Sequence, residues 1–249
     1  MNQSEEFQQR INYQGDLRHF LVQVCKDYNF GSYKNHEIVY QGYEDFNLIM
    51  ETDKNKYFVK VFAKSRSAEE PQQLIEILLA VSAAGVQTPK LCKSKQGFLN
   101  KVSIDGATDL LIVLEYIDGE SLYKSKAVLD EKEMRFLIHQ AALINQIDFK
   151  SAAVYDTWAI VNFLAEYSKK EPYLEVEDRE IISSLLSPFA GFKISDLPHA
   201  LVHGDIIKTN IIKDSKNHLH IVDFAAANYY PRIVELAVML NSTLFDETD

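Results

Sequence analysis

The spacing of apolar residues divides the first half of the chain into helical and strand-like stretches. Apolar side chains recur at three- and four-residue intervals over residues 5–28, which predicts an N-terminal helix. Over 37–63 the pattern changes to the short β-branched and aromatic runs EIVY, FNLIME and KYFVKVF, which predict an antiparallel meander. Helical spacing returns over 69–84, and strand-like segments follow at 97–104 and 110–116. A helix is therefore predicted to interrupt a sheet.

The second half has a different texture. Its predicted helices cover residues 131–149, 156–169 and 176–189, and short strand-like runs lie near residues 200 and 221. No repeat, low-complexity tract or Ser/Gly linker separates the halves, so the change near residue 116 indicates a hinge between lobes. We expect an α+β protein with an N-terminal lobe, 1–115, and a mostly helical C-terminal lobe, 116–249.

Composition is typical of a globular protein, because 47% of the 249 residues are hydrophobic and 25% are charged. No apolar run approaches the ~20 residues of a membrane span. The polar, acidic start MNQSEEFQQR lacks the pattern of a signal peptide, so we expect a cytoplasmic protein that does not insert into membranes. Cys25 and Cys92 are not spaced as metal ligands and are expected to be reduced thiols.

The net charge of −10 disfavours a nucleic-acid-binding surface, which needs clustered Lys and Arg. Residues 116–249 carry −8 of this charge and residues 1–115 carry −2. An acidic second half could attract a cationic substrate, for example through Glu171, Glu175, Glu177 and Asp178, although a solubilising surface is the commoner reason for such charge.

The segment LVHGDIIKTNIIKDSKNHLHIVDF, from Leu201 to Phe224, carries the candidate chemistry. Asp205 precedes Asn210 by five residues in a loop between strand-like runs, and Asp223 ends the second run. Phosphoryl transfer needs hard oxygen ligands for magnesium and a carboxylate that orients the attacking hydroxyl. We assign Asp205 as the base and Asn210 and Asp223 as magnesium ligands, although each alone is more often a turn or cap residue.

Together these residues resemble the superfamily of aminoglycoside phosphotransferases, homoserine kinases and choline kinases, whose loop HGDxxxxN precedes a strand ending in DF. The resemblance implies a two-lobed, protein-kinase-like fold and transfer of the γ-phosphate of ATP, with Mg²⁺, to a hydroxyl of a small molecule. It gives His203 a scaffold role. The acceptor type, whether aminoglycoside, homoserine, choline or sugar, stays open.

The resemblance extends upstream to KYFVKVF, where Lys60 matches the lysine that contacts nucleotide phosphates. An isolated strand lysine is more often solvated, but alternation places Lys60 on the face opposite Val59 and Val61. The run LLIVLEYIDGESL resembles the hinge that pairs with adenine. There the backbone groups of Glu115, Tyr116 and Ile117 are expected to matter more than their side chains.

An acidic partner for Lys60 is expected from the helix at 69–84. Glu70 shares a face with Leu74 and Ile77, whereas Glu76 falls on the opposite side. We favour Glu70, and Glu69 remains possible. The alternative for both is a first-turn carboxylate that stabilises the helix N-terminus.

The sequence departs from related enzymes in ways that argue against a protein kinase. No GxGxxG loop is present, and only 26 residues follow Asp223, which leaves no room for a protein-kinase activation segment. In the small-molecule family more helices usually follow this aspartate, and YYPRIVELAVML resembles only the start of that region. Part of the substrate pocket is therefore expected to be reduced, absent or supplied by another subunit. Ala225 also replaces an acidic residue often found after DF. The alternative functions are an inactive ATP-binding pseudokinase and an interaction module.

Overall fold

The computed structural model describes residues 3–42, 44–152 and 154–244. The chain forms two compact units. The first unit ends at Glu120 and takes in Ile212–Val222, and the second unit contains Ser121–Ile211 and the residues from Asp223 onward. The division between these units falls after Glu120, and the lobe boundary expected at 115/116 stays a prediction. The sequence also gave no hint that 212–222 returns to the first unit, where Ile221 N–H donates to Gln87 O at 2.9 Å.

The α-helices are α1 (Gln3–Gln8), α2 (Leu17–Tyr28), α3 (Glu70–Ala83), α4 (Leu122–Ser125), α5 (Glu131–Asn145), α6 (Phe163–Lys170), α7 (Val176–Ala190) and α8 (Ile233–Met239). The strands are β1 (Tyr33–Val39), β2 (Phe46–Thr52), β3 (Lys56–Val61), β4 (Asn100–Ile104), β5 (Ala107–Glu115), β6 (Gly119–Ser121), β7 (His199–Val202), β8 (Ile211–Asp214), β9 (Leu219–Ile221) and β10 (Asn228–Pro231). Among the described residues, no helix is long and apolar enough to cross a membrane.

The first unit is built on an antiparallel sheet with the strand order β1-β2-β3-β5-β4. The meander predicted over 37–63 is confirmed as β1, β2 and β3. Helix α2 contributes Phe20, Leu21 and Val24 to a core cluster that includes Leu48 and Val59 of the sheet. The predicted helix after the meander is also present as α3, which buries Leu74, Ile75, Ile77, Leu78 and Val81.

The prediction of one continuous helix over 5–28 is wrong. The helix is interrupted between α1 and α2, where Asp16 caps α2 by accepting a hydrogen bond from Arg18 N–H at 2.8 Å. The buried carboxylate of Asp109 accepts hydrogen bonds from the N–H groups of Asn12 and Tyr13. Side-chain acceptors thus compete with helical bonds for these backbone donors.

In the second unit, α5 begins with a capping box between Asp130 and Glu133. The helix predicted over 156–169 begins only at Phe163. The reason is local, because the Asp156 carboxylate accepts a hydrogen bond from Trp158 N–H at 2.8 Å and holds a turn there.

The strand-like runs near residues 200 and 221 belong to different sheets. β7 pairs antiparallel with β10, whereas β9 joins β8 and β6 in a three-stranded sheet. Gly119 permits the approach of β6 to β8, because a Cβ on this residue would lie 2.3 Å from Lys213 O.

Candidate active site

The loop of residues 203–210, called the catalytic loop below, directly follows β7 in the second unit. His203 is fully buried, and its ring packs against Phe224 with 4.4 Å between ring centroids. Its Nδ1 accepts a hydrogen bond from Asp205 N–H at 3.2 Å. These contacts fit the scaffold role that the sequence resemblance gives to His203.

The start of the catalytic loop is held from α8. Both carboxylate oxygens of Glu235 accept backbone hydrogen bonds, from His203 N–H at 2.5 Å and from Gly204 N–H at 3.3 Å. Gly204 has φ +79°, and a Cβ there would lie 3.3 Å from Ala226 O, so glycine suits both the backbone and the space. Burial raises the pKa of Glu235 to about 7, against the lowering effect of the two N–H donors.

Asp205 and Asn210 are in direct contact. Asn210 Nδ2 donates to Asp205 Oδ2 at 2.7 Å and to Asp205 O at 3.0 Å. The amide nitrogen is thereby directed at Asp205, and the amide oxygen is the atom of Asn210 that could coordinate a cation. Further along the loop, Thr243 Oγ1 donates to Ile206 O at 2.8 Å in a buried contact.

Asp223 follows β9 and stands immediately before a short 3-10 helix, Phe224–Ala226. Its side chain is exposed, and its backbone has φ +65°, an uncommon left-handed conformation that Asp tolerates better than most residues. Such backbone conformations are concentrated at functional sites.

The electrostatics of Asp205 link it to two other carboxylates. Burial raises its pKa, Asp223 raises it further, the hydrogen bond from Asn210 lowers it, and Asp156 raises it. All four residues belong to the second unit. Asp205 and Asn210 are therefore in direct contact, and Asp223 and Asp156 act on Asp205 through their charge.

The donor set fits a hard divalent cation. Asp223 offers carboxylate oxygens, Asn210 offers an amide oxygen, and a cation would relieve the repulsion between Asp205 and Asp223. Among the described residues, no group of three or more His, Cys, Asp or Glu side chains is placed to hold a metal alone. Magnesium commonly uses one or two carboxylates together with substrate phosphates, so two protein ligands are sufficient.

Lys60 lies on β3 of the first unit and is 5% exposed. Its ammonium group forms an ion pair with Asp45 at 3.2 Å. The expected partner Glu70 forms its ion pair with Arg66 at 2.8 Å and accepts Ser67 N–H at 2.6 Å. The assignment of Glu70 to Lys60 is therefore corrected: Glu70 is the first residue of α3, and its carboxylate is directed at the segment leading into that helix.

Asp45 was missed by the sequence analysis because it lies in a polar turn, where acidic residues are common. Glu235 and Thr243 were missed as well. They act on the catalytic loop from 31 or more residues away along the chain, and no local pattern reports such a contact. The single available signal was a Glu within the otherwise apolar run IVELAVML.

The three hinge candidates lie at the end of β5 and in the segment that follows it. β5 ends at Glu115, and Tyr116 and Ile117 lie in the irregular segment before β6. The N–H group of Glu115 already donates a hydrogen bond to Lys90 O at 3.0 Å. Its carbonyl is therefore the backbone group that Glu115 could offer to an adenine ring.

The acidic residues that the sequence suggested for attracting a cationic substrate lie on an exposed surface at α7, whereas Asp156 lies in a segment bonded to β10. Glu171, Glu175, Glu177 and Asp178 are exposed at and before the start of α7. Asp156 follows Val154, whose carbonyl accepts hydrogen bonds from Asn228 Nδ2 at 2.9 Å and Tyr230 Oη at 3.4 Å. Because Asn228 is paired with Val202, just before the catalytic loop, these bonds hold the segment before Asp156 close to that loop.

Comparisons with known proteins show the family and the fold of the chain. A family model described as "Phosphotransferase enzyme family" matches residues 38–249. The homoserine kinase of Methylobacillus flagellatus is 22% identical over 228 residues, which cover 89% of this chain and 67% of that protein. The homoserine kinase of Agrobacterium fabrum is 23% identical over 234 residues, covering 93% and 70%. A third, from Zymomonas mobilis, is 23% identical, and the match covers 65% of its length.

Solved structures of small-molecule kinases share the fold, among them an amicoumacin kinase and a choline kinase. The amicoumacin kinase hAmiN, in complex with AMP-PNP, Ca²⁺ and Ami, aligns with a TM-score of 0.63 at 16% identity, covering 94% of this chain and 72% of that chain. The choline kinase LicA from Streptococcus pneumoniae aligns with a TM-score of 0.62 at 14% identity, covering 94% and 77%. At such identities the likeness concerns the fold, and it confirms the expected α+β, protein-kinase-like class.

Proposed function

Because the chain belongs to the phosphotransferase enzyme family, we propose that it transfers the γ-phosphoryl group of ATP to a hydroxyl group of a small molecule. The observation that carries the proposal is the contact of Asp205 with Asn210 on the loop that Glu235 holds, together with the charge of Asp223, which acts on Asp205 in the same unit. Positioning and electrostatic stabilisation, which are the main contributions to phosphoryl transfer, require fixed groups of this kind.

In this mechanism Asp205 orients the acceptor hydroxyl and takes its proton. The acceptor oxygen forms a bond to the γ-phosphorus while the bond from that phosphorus to the bridging oxygen of ADP breaks. Asn210 keeps the Asp205 carboxylate in place through its 2.7 Å hydrogen bond. Asn210 and Asp223 would hold Mg²⁺, which supplies charge stabilisation on the phosphate oxygens when bound.

Nucleotide binding is assigned to the first unit. Lys60 is proposed to contact the phosphates, because it is a compact cation on the central strand of the sheet and is held there by its ion pair with Asp45. The carbonyl of Glu115 and the backbone groups of Tyr116 and Ile117 are proposed to hold the adenine. AMP-PNP in the amicoumacin kinase complex supports the use of an adenine nucleotide.

The acceptor is proposed to be a small alcohol that carries an amine. Three observations support this class: the homoserine kinases among the relatives, the choline kinase among the structural neighbours, and the negative charge of Asp156, which acts on Asp205. A cationic group on the acceptor would be attracted by Asp156 while its hydroxyl reaches Asp205.

The test is incubation of the protein with ATP, Mg²⁺ and a library of amino alcohols, hydroxy amino acids, sugars and aminoglycosides, followed by mass spectrometry. We expect one acceptor class to gain phosphate on oxygen. Phosphate found only on nitrogen or only on protein would contradict the role of Asp205. ATP binding without any product would favour the alternative of an inactive nucleotide-binding protein.

A further inference from the structure

Asp45 is a buried acid for which the proposed reaction has no role. It stands just before β2, its side chain is 2% exposed, and its carboxylate has four donors. Oδ1 accepts from Ala63 N–H at 3.1 Å and from Arg66 Nε at 3.1 Å. Oδ2 accepts from Lys60 Nζ at 3.2 Å and from Arg66 Nη2 at 3.0 Å. One carboxylate thus holds two cations and a backbone amide.

The sheet register explains why Asp45 reaches Lys60. Asn47 of β2 is directly opposite Lys60 of β3. Asp45 lies two residues before Asn47, in the turn that leads into β2, and from there its carboxylate reaches the ammonium group of Lys60 at 3.2 Å. Burial alone would raise the pKa of Asp45, but Lys60, and then Arg66 and the Ala63 N–H, hold it below its usual range, so the pair is ionic.

Arg66 serves as a tether in this cluster. Its Nε and Nη2 donate to Asp45, its Nη1 donates to Glu70 at 2.8 Å, and Nη2 also pairs with Glu44 at 2.6 Å. Because each guanidinium nitrogen is directed at a carboxylate, Arg66 links the turn before β2 to the first residue of α3. Lys60 is the compact cation at the other end of the cluster.

A second observation marks the same face of the sheet. The Oδ1 atom of Asn47, opposite Lys60, is buried, and the described residues supply no hydrogen-bond donor to it. Buried acceptors normally have a partner, so this position is suited to a donor from water or from a bound ligand. The polar, partly unsatisfied face is therefore the one on which Lys60 and Asp45 meet.

We propose that Asp45 is the positioning residue for Lys60, and that the Arg66 and Glu70 pair holds Asp45 in place for this task. The inference rests on the proposed function, in which Lys60 contacts the phosphates of ATP. The ammonium is fixed before the nucleotide arrives, so its ordering does not have to be achieved during binding. An acidic partner of Lys60 thus comes from the turn before β2, and α3 contributes through the pair of Glu70 with Arg66.

The test is a double-mutant cycle with Asp45→Asn, Lys60→Met and the combined variant. We expect Asp45→Asn to lower kcat/KM for ATP by about 10- to 100-fold, with the KM for the acceptor within about 3-fold. In the Lys60→Met background, Asp45→Asn should have no further effect on kcat/KM for ATP, because it acts through Lys60. Asp45→Glu, which keeps the charge, should restore part of the loss.

Asp109→Asn is the matched control, because Asp109 is also a buried carboxylate of the first unit and accepts hydrogen bonds from Asn12 and Tyr13. It should lower Tm without the selective loss of kcat/KM for ATP. Should Asp45→Asn fail to fold, Asp45→Glu replaces it in the cycle, with a loss that again vanishes in the Lys60→Met background.

An unchanged kcat/KM for ATP in folded Asp45→Asn would overturn the proposal, and so would losses that add in the combined variant. Failure of the proposed function is distinguishable, because it appears as an inactive wild type. In that case binding of MgATP is measured by calorimetry. If Asp45→Asn binds MgATP more weakly than wild type, and the same substitution has no effect in the Lys60→Met background, the positioning role is supported. If Asp45→Asn and wild type bind MgATP equally, the positioning role is refuted. A wild type that binds no ATP refutes both proposals.

Discussion

Asn210 donates a hydrogen bond of 2.7 Å from its side-chain amide to the carboxylate of Asp205. The contact closes the catalytic loop on itself, since the same amide also reaches Asp205 O. The loop therefore fixes the carboxylate that is proposed to orient the acceptor, and the residue that fixes it also carries an oxygen suited to a cation.

Asn210→Ala removes both contributions at once. We expect kcat to fall by about 100-fold, because a mispositioned base and a weakened metal site both raise the transition-state energy. The Mg²⁺ concentration required for half-maximal rate should also rise. The measurement is kcat over a magnesium titration, with exposed Asn241→Ala as the control. A variant with normal kcat and normal magnesium dependence would show that Asn210 is only a turn residue.

The raised pKa of buried Glu235 should make the stability of the protein depend on pH. Its folded-state pKa of about 7 lies above the ordinary value of 4.5, so the native state binds more protons than the unfolded state between these pH values. Stability should therefore fall as pH rises from about 5 to 8, by about 3 kcal/mol for this group. Glu235→Gln removes the titration, so its unfolding free energy relative to wild type should change by this amount across the window.

Urea unfolding of wild type and Glu235→Gln at several pH values measures the effect, because other titrating groups cancel in the difference. Glu235→Gln should also lower kcat, since an amide has one oxygen for the two N–H groups that the carboxylate accepts. Parallel stability curves for the two proteins would contradict the buried, proton-binding state of Glu235.

Asn210 could be predicted from the sequence as a site residue, whereas Glu235 could not. Asp205, Asn210 and Asp223 lie within 19 residues of one another, in a spacing that predicts a loop between strands. Contacts such as Glu235 with His203, or Asp45 with Lys60, depend on how distant segments pack and on strand register. Periodicity identified the strands and most helices, but it could not detect the side chains that interrupt the helix pattern at Asp16 and Asp156.

If Asp156 attracts the acceptor, the protein should prefer acceptors that carry an amine. Asp156→Asn should raise the KM of an amino alcohol about 10-fold and leave a neutral alcohol of the same size unchanged, because only the cation interacts with the carboxylate. Added salt should reproduce part of the effect. The matched control is Glu177→Gln at the exposed start of α7, with an expected change below about 2-fold. Equal changes for both acceptors, or a larger effect at Glu177, would contradict this assignment.

The proposed base is tested most directly by comparing wild type with Asp205→Asn in two assays, MgATP binding by calorimetry and formation of the phosphorylated acceptor by mass spectrometry. The account predicts that Asp205→Asn binds MgATP within a few-fold of wild type while product formation falls by at least about 1,000-fold, because Asp205 acts on the acceptor in the transition state. A folded Asp205→Asn variant that still forms product at a rate close to that of wild type would contradict it.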